Sequence, residues 1–215
     1  MDVDETSEDR LWKKVEEARE RIQGEAVTSI KKAFAEGETR VQVEMACGTG
    51  KTHVALEVAE HLVQEEGVRS VVVLAPTLAL VEQTAARWWK YARKELKGRY
   101  RVCALCSLAK LGRGAEEELD IEPAEYGVHG AQFLPDTWRR VLPKADSPDP
   151  KAKQVCDWWR DVHREEGAVA VVFCTYHSAP VLGEALELMR GEEEGCRVGF
   201  GIFDEAHMTA RLDTA

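Results

Sequence analysis

Five short apolar runs punctuate the chain: residues 40–45 (RVQVEM), 70–75 (SVVVLA), 100–106 (YRVCALC), 168–174 (AVAVVFC) and 198–203 (VGFGIF). They are rich in β-branched residues and mostly continuous in hydrophobicity, which suits strands covered on both faces, as in a parallel sheet. Between them, three- and four-residue apolar spacing predicts helices over 51–66, 78–96 and 179–190; in the last, Val181, Leu182, Ala185, Leu186 and Met189 share a face. Strand alternating with helix predicts an α/β fold with right-handed crossovers. Ahead of the first run, Leu11, Val15, Ala18, Ile22, Ala26, Ile30 and Phe34 keep a helical stripe. It reads as one long helix or as two broken near Gly24, packed on the sheet edge.

The stretch from 112 to 167 breaks the alternation. It opens acidic, passes Pro135, Pro143, Pro148 and Pro150, then becomes helix-like over 151–164 with Val155, Trp158, Trp159 and Val162 on one side. A structureless loop of that length is uncommon in a compact domain. We therefore expect an elaborated connection carrying a helix that docks on the core, with the two tryptophans as packing rather than a base-stacking platform.

Composition narrows the class. The 215 residues are 44% hydrophobic and 32% charged, ordinary for a globular chain and too apolar for a disordered one. No apolar run approaches a membrane span, and the acidic start, MDVDE, is no secretory signal. Six scattered cysteines suit a reducing compartment, so a cytoplasmic protein is expected. A net charge of −10 excludes a uniformly basic nucleic-acid coat. It does not exclude a nucleic-acid partner, because steering depends on charge near the groove.

The strongest local chemistry is MACGTGKT at 45–52, placed between a predicted strand and a predicted helix. That is the context of a phosphate loop. Gly48 and Gly50 permit positive φ, so successive N–H groups can turn inward around an anion, and the helix N-terminus adds partial positive charge. Lys51 would reach the β- and γ-phosphates and Thr52 would place its hydroxyl on Mg²⁺. The common pattern G-x-x-x-x-G-K-S/T would put Gly at position 45, where this chain has Met45. A second box, DEAH at 204–207, follows the last apolar run. An Asp at a strand's C-terminal end can hold Mg²⁺, and the neighbouring Glu can activate a water for attack on the γ-phosphate. Each box alone has a bland alternative, a glycine turn or a solvated acidic turn. Together and in this order they point to ATP or another NTP.

The two boxes resemble motifs I and II of the superfamily 2 helicases and translocases, the DEAD/DEAH-like group, in which the position of Met45 is often Ala, Gly or Met. The stretch at 73–84 (VLAPTLALVEQT) resembles motif Ia, and VFCTYHS at 172–178 resembles the T-Y-x-S element of the branch related to restriction-enzyme motor subunits. Gln23, 28 residues before Lys51, sits where a Q-motif glutamine would read adenine, though its lead-in, Glu20, Arg21 and Ile22, departs from the usual R-P-x.

The resemblance implies a RecA-like parallel sheet flanked by helices over 39–215, with an insertion at about 112–167, preceded by a helical segment over 1–38. It implies ATP and Mg²⁺, with Ala46, Cys47, Gly48, Thr49, Gly50, Lys51, Thr52 and Gln23 at the nucleotide. Lys51, Asp204, Glu205 and His207 would carry the catalysis, Thr52 and Asp204 the metal. Pro76 and Thr77, and more weakly Thr175 and Ser178, become nucleic-acid contacts. DNA is favoured over RNA, and a second RecA-like domain or subunit would supply motifs III–VI.

Because motifs III–VI are not in these 215 residues, we expect the first sheet to lack a central member and the isolated chain to be weak or inactive in hydrolysis. The alternatives are a non-catalytic nucleotide- or partner-binding fragment and a phosphate-loop NTPase of another class. The basic stretch Arg87, Lys90, Arg93, Lys94, Lys97, Arg99 and Arg101 reads equally as a solvated helix face or a polymer-binding one. Cys103 and Cys106 form a lone C-x-x-C within a strand-like run, and no zinc site is expected from them.

Overall fold

The computed structural model describes residues 7–105, 150–190 and 197–206. The chain divides into two compact units, Met1–His61 and Leu62–Ala215. In the first, α1 (Ser7–Ala35) runs unbroken through Gly24, so the N-terminal stripe is one helix. Only its second half is covered: Val27 and Ile30 are buried, whereas Leu11, Trp12 and Val15 are exposed. A loop leads to α2 (Lys51–Glu65), which crosses from the first unit into the second and buries Val54, Leu56, Val58, Ala59 and Val63.

Residues 40–45, expected as the first strand, form none, and Val41 and Val43 are exposed. A strand exists through its ladder, and no described strand pairs with this segment. The alternating sequence carries the propensity without the partner.

The second unit holds β1 (Ser70–Ala75), α3 (Leu78–Tyr91), α4 (Lys94–Lys97), β2 (Tyr100–Leu105), α5 (Pro150–Arg164), β3 (Val169–Thr175), a 3₁₀ turn (Tyr176–Ser178), α6 (Ala179–Leu188) and β4 (Phe200–Phe203). The strands form one parallel sheet in the order β2-β3-β1-β4. Every residue of β1 and β3 is buried, as continuous hydrophobicity predicts for central strands.

Side-chain alternation then divides the core between two faces. Val72, Leu74, Ala170, Val172 and Cys174 join α5 and α6 in one cluster around Trp159. Phe173, pointing the other way, meets Trp88 of α3 edge-on, with ring centroids 5.8 Å apart. The helix expected over 78–96 stops at Tyr91, because Ala92 swings to ψ 140; its N–H still bonds the Trp88 carbonyl at 2.8 Å.

Helix α5 confirms a docked helix at the end of the 112–167 stretch; residues 106–149 lie outside the described part. Trp159 is fully buried and Trp158 packs against it edge-on at 6.3 Å, so the pair serves packing. One turn on, His163 stacks on Trp159 with ring centroids 6.2 Å apart. Its Nδ1 lies 3.0 Å from the Trp159 carbonyl, and its Nε2 is buried without a hydrogen-bond partner. A neutral ring with the proton on Nδ1 satisfies both observations. Burial lowers the His163 pKa below its ordinary value; the Trp159 carbonyl opposes this and the Arg69 charge adds to it.

Two predictions follow from α5. Trp159→Ala should cost about 3–5 kcal/mol of unfolding free energy in urea, and Trp158→Ala roughly half of that or less. His163 takes up its proton at lower pH in the fold than in the unfolded chain, which protonates around a pH of about 6.5, so its contribution is present above that pH and lost on acidification. Comparing urea midpoints at about pH 7.5 and 5.5, His163→Phe should lose less stability on acidification than the wild type; equal losses would rule this out.

Candidate functional site

The phosphate loop belongs to the first unit. Gly48 (φ 79) and Gly50 (φ 99) both take left-handed backbone conformations, which is the reason glycine recurs there. The Thr49 hydroxyl donates to the Ala46 carbonyl at 2.7 Å and tightens the turn. The amides of His53 and Val54 then bond the Gly50 carbonyl at 2.8 and 3.1 Å, launching α2. Helix α1 secures the loop's next two carbonyls: the Gln23 amide nitrogen donates to Thr49 at 2.8 Å, and the Arg19 guanidinium donates to Gly48 at 2.9 Å. With those oxygens engaged, amide N–H groups are what the loop offers to an anion.

Gln23 and Arg19 are four residues apart on α1 and so share one face. Sequence reading placed Gln23 at the nucleotide and missed Arg19, although that spacing was visible. A Cβ at Gly50 would lie 2.2 Å from Gln23 Nε2, so the glycine also makes room for this contact. Cys47 is an exposed free thiol, Ala46 is exposed, and Lys51 and Thr52 are half-buried in the first turn of α2.

In the second unit, the turns of interest lie at the C-terminal edge of its sheet, the edge at which parallel α/β sheets bind ligands. The register sets Ala75 beside Thr175 and Leu74 beside Phe203, bringing the turns after β1, β3 and β4 to one edge. After β1, Pro76 leads to Thr77, whose hydroxyl oxygen caps α3 by accepting from the Leu80 amide at 3.2 Å. After β3, Thr175 and Ser178 are buried, and the Thr175 hydroxyl donates to Ser178 at 3.1 Å. Their side chains hold the turn, and the exposed member of the element is His177.

After β4 come Asp204 and Glu205, both half-buried; His207 lies outside the described residues. The Asp204 amide donates to the Leu74 carbonyl at 2.8 Å, extending the β1–β4 ladder by one rung. Glu205 has φ 52, and among the described residues it alone is left-handed without being glycine. Tyr176, the second residue of the T-Y-H-S element, donates its hydroxyl to the Asp204 carbonyl at 2.7 Å. Burial, with the Asp204 and Glu205 carboxylates nearby, pushes the Tyr176 pKa up to about 12, so it stays a donor at any working pH.

The remaining candidates serve the fold. Arg99 donates to the Gly167 carbonyl at 2.7 Å and Arg101 pairs with Glu165, tying β2 to the turn before β3. Arg93 donates to Gln64 at 2.6 Å, and Lys97 lies over the Trp89 ring. Much of the basic stretch is therefore engaged within the chain. Cys103 is pushed up to about 12 by burial, which makes it an inert thiol.

A left-handed glycine loop with Lys51 and Thr52 on a helix N-terminus suits a polyphosphate, and the carboxylates after β4 are hard oxygen donors of the kind that Mg²⁺ takes. No helix among the described residues is long and apolar enough to cross a membrane.

Comparison with known proteins agrees with this architecture. No curated protein matches the chain. Among solved structures, a nuclease-deletion mutant of the Type ISP restriction-modification enzyme LlaGI, in complex with a DNA substrate mimic, is 26% identical with a TM-score of 0.59. It is matched over 90% of this chain and 15% of its own. The ATP-dependent Type ISP restriction-modification enzyme LlaBIII, bound to DNA, is also 26% identical, with a TM-score of 0.54 over 92% of this chain and 11% of its own. The chain thus spans only a small part of either enzyme. The four-stranded parallel sheet with its helices matches the RecA-like helicase region of these enzymes. Over residues 18–214 it matches the family described as the Type III restriction enzyme res subunit, and the chain belongs to that family.

Proposed function

We propose that this chain is the ATP-binding first motor domain of a nucleic-acid translocase, acting on DNA and hydrolysing ATP together with a second RecA-like domain. The observation that carries the reading is the phosphate loop, with two left-handed glycines and its carbonyls engaged by Arg19 and Gln23. Family membership supports ATP as the nucleotide. Of the two structural relatives, one is in complex with a DNA substrate mimic and the other is bound to DNA, which favours DNA over RNA.

In this reading the loop amides and Lys51 bind and orient the phosphates, and Thr52 and Asp204 would hold Mg²⁺. The metal supplies charge neutralisation on the phosphate oxygens when bound. Glu205 accepts the proton of the attacking water, a role that needs its carboxylate ionised and aimed at the γ-phosphate. Ala46, Cys47 and Thr49 contribute backbone to the cradle. Gln23 supports the loop from α1 and stands beside the nucleotide as a Q-motif residue would. His207 relays between the nucleotide and the rest of the motor. Pro76 and Thr77 offer the polymer a turn and a helix start, and the Thr175–Ser178 turn meets it through its backbone and His177, since both hydroxyls are turned inward. The helical segment 1–38 serves the adenine side, and 39–215 the motor proper.

Binding of a fluorescent ATP analogue and steady-state ATP hydrolysis, each with and without duplex DNA, test this. Lys51→Ala removes a charge-assisted contact and should weaken nucleotide binding by about 10- to 100-fold. Glu205→Gln should leave binding intact and lower any turnover by about 100-fold or more. Gly50→Ala should weaken binding as well, since its Cβ displaces Gln23 from the loop and the residue must hold φ 99. Wild-type protein that binds no nucleotide, or binds it equally well with Lys51→Ala, would sink the proposal. Binding without turnover even when the second RecA-like domain is supplied would identify the non-catalytic alternative.

A further inference from the structure

The acidic turn after β4 contains a left-handed non-glycine residue and a side chain placed to hold it. Glu205 sits at φ 52, where a residue with a Cβ is disfavoured. The cheapest relief is rotation of the Asp204–Glu205 peptide, which changes ψ of the first residue and φ of the second and turns the intervening carbonyl away. That carbonyl is the one Tyr176 grips at 2.7 Å. The other side of Asp204 is fixed as well, through its amide on Leu74 at 2.8 Å. A neutral hydrogen bond and the cost of a left-handed non-glycine residue are of similar size, so one hydroxyl suffices to tilt this balance.

The grip is itself rigid. Tyr176 is buried in the cluster of α5 and α6, directly after central strand β3, in a turn closed by the Thr175–Ser178 hydrogen bond. We propose that Tyr176 is a positioning residue: its hydroxyl, by holding the Asp204 carbonyl, fixes the peptide that aims the Glu205 carboxylate and links the T-Y-H-S turn to the acidic box. The inference deepens the proposed function and rests on it where it assigns Glu205 to ATP hydrolysis. The backbone restraint stands independently. A disturbance of the turn after β3, such as a polymer docking against exposed His177, would reach Glu205 through one side chain.

Tyr176→Phe tests this by deleting the hydroxyl and keeping the ring. Hydrogen–deuterium exchange of the purified protein should become at least about tenfold faster over residues 203–206, while strand β3 stays at the wild-type rate. In the ATPase assay with duplex DNA and the second RecA-like domain supplied, kcat should fall about tenfold with KM for ATP within roughly twofold, the pattern of a lost aim rather than lost binding. Unchanged exchange over 203–206 overturns the proposal. So does exchange rising equally in β3, which would make the hydroxyl merely structural, and so does local loosening with unaltered kcat. Wild-type protein that neither binds nor turns over ATP counts against the proposed function instead, and the exchange comparison alone then decides whether Tyr176 restrains the turn.

Discussion

Pairing of β1 with β3 is the constraint on which the second unit depends. Both strands are buried along their whole length, so neither could exist without the other and without helices on both faces. Valines dominate them, each contributing about 1.5–3 kcal/mol by leaving water. Their register does more than stabilise. A slip by one residue would exchange Phe173, seated against Trp88, with Val172 or Cys174, seated among α5 and α6. The turns after β1 and β3 are therefore locked side by side, and β4 hangs its acidic turn on the same framework through Leu74.

The two units contribute different chemistry by the same economy. In the first, α1 reaches into a glycine loop and binds carbonyl oxygens, leaving a surface of donors. In the second, strand ends present acceptors, the Asp204 and Glu205 carboxylates, on a backbone held from β1 and from the turn after β3. Each set is organised by polar contacts from a neighbouring element and not by the motif residues alone. The residues that a motif names are thus the visible part of a larger arrangement in which Arg19 and Tyr176 take part.

Much of this was legible in the sequence. Apolar runs marked β1, β2, β3 and β4 to within a residue or two; β1 and β3, buried on both faces, leave no room for polar positions, whereas β2 and β4 are only partly covered. Helical spacing found α2, α5 and α6, and the glycines of the phosphate loop announced their left-handed backbone. Segment 40–45 misled because propensity is local and pairing is not: RVQVEM has the composition of a strand and no ladder among the described residues. Thr175 and Ser178 were read from their motif as weaker nucleic-acid contacts; at the end of β3 and in the 3₁₀ turn after it both are buried, and the Thr175 hydroxyl bonds Ser178. Arg99 and Arg101 read equally as solvated or polymer-facing, yet they answer carbonyl and carboxylate oxygens around 165–167, some 65 residues away in sequence. No local pattern encodes that proximity. Tyr176 was hidden for a similar reason, since its partner is a backbone carbonyl, which any residue would present.

The left-handed backbone at Glu205 also bears on which residues that position can accept. The backbone there favours glycine, asparagine or aspartate, the types that enter this region at least cost. The proposed role as water-activating base favours the longest carboxylate available. Aspartate would satisfy the main chain and withdraw the charge by one methylene, glutamine would keep the reach and discard the charge, and glycine would relax the turn and leave nothing to aim. Glutamate is the choice that the conformation resists and the proposed role requires, so under that proposal tolerance at this position is set by two demands that no single substitution meets together.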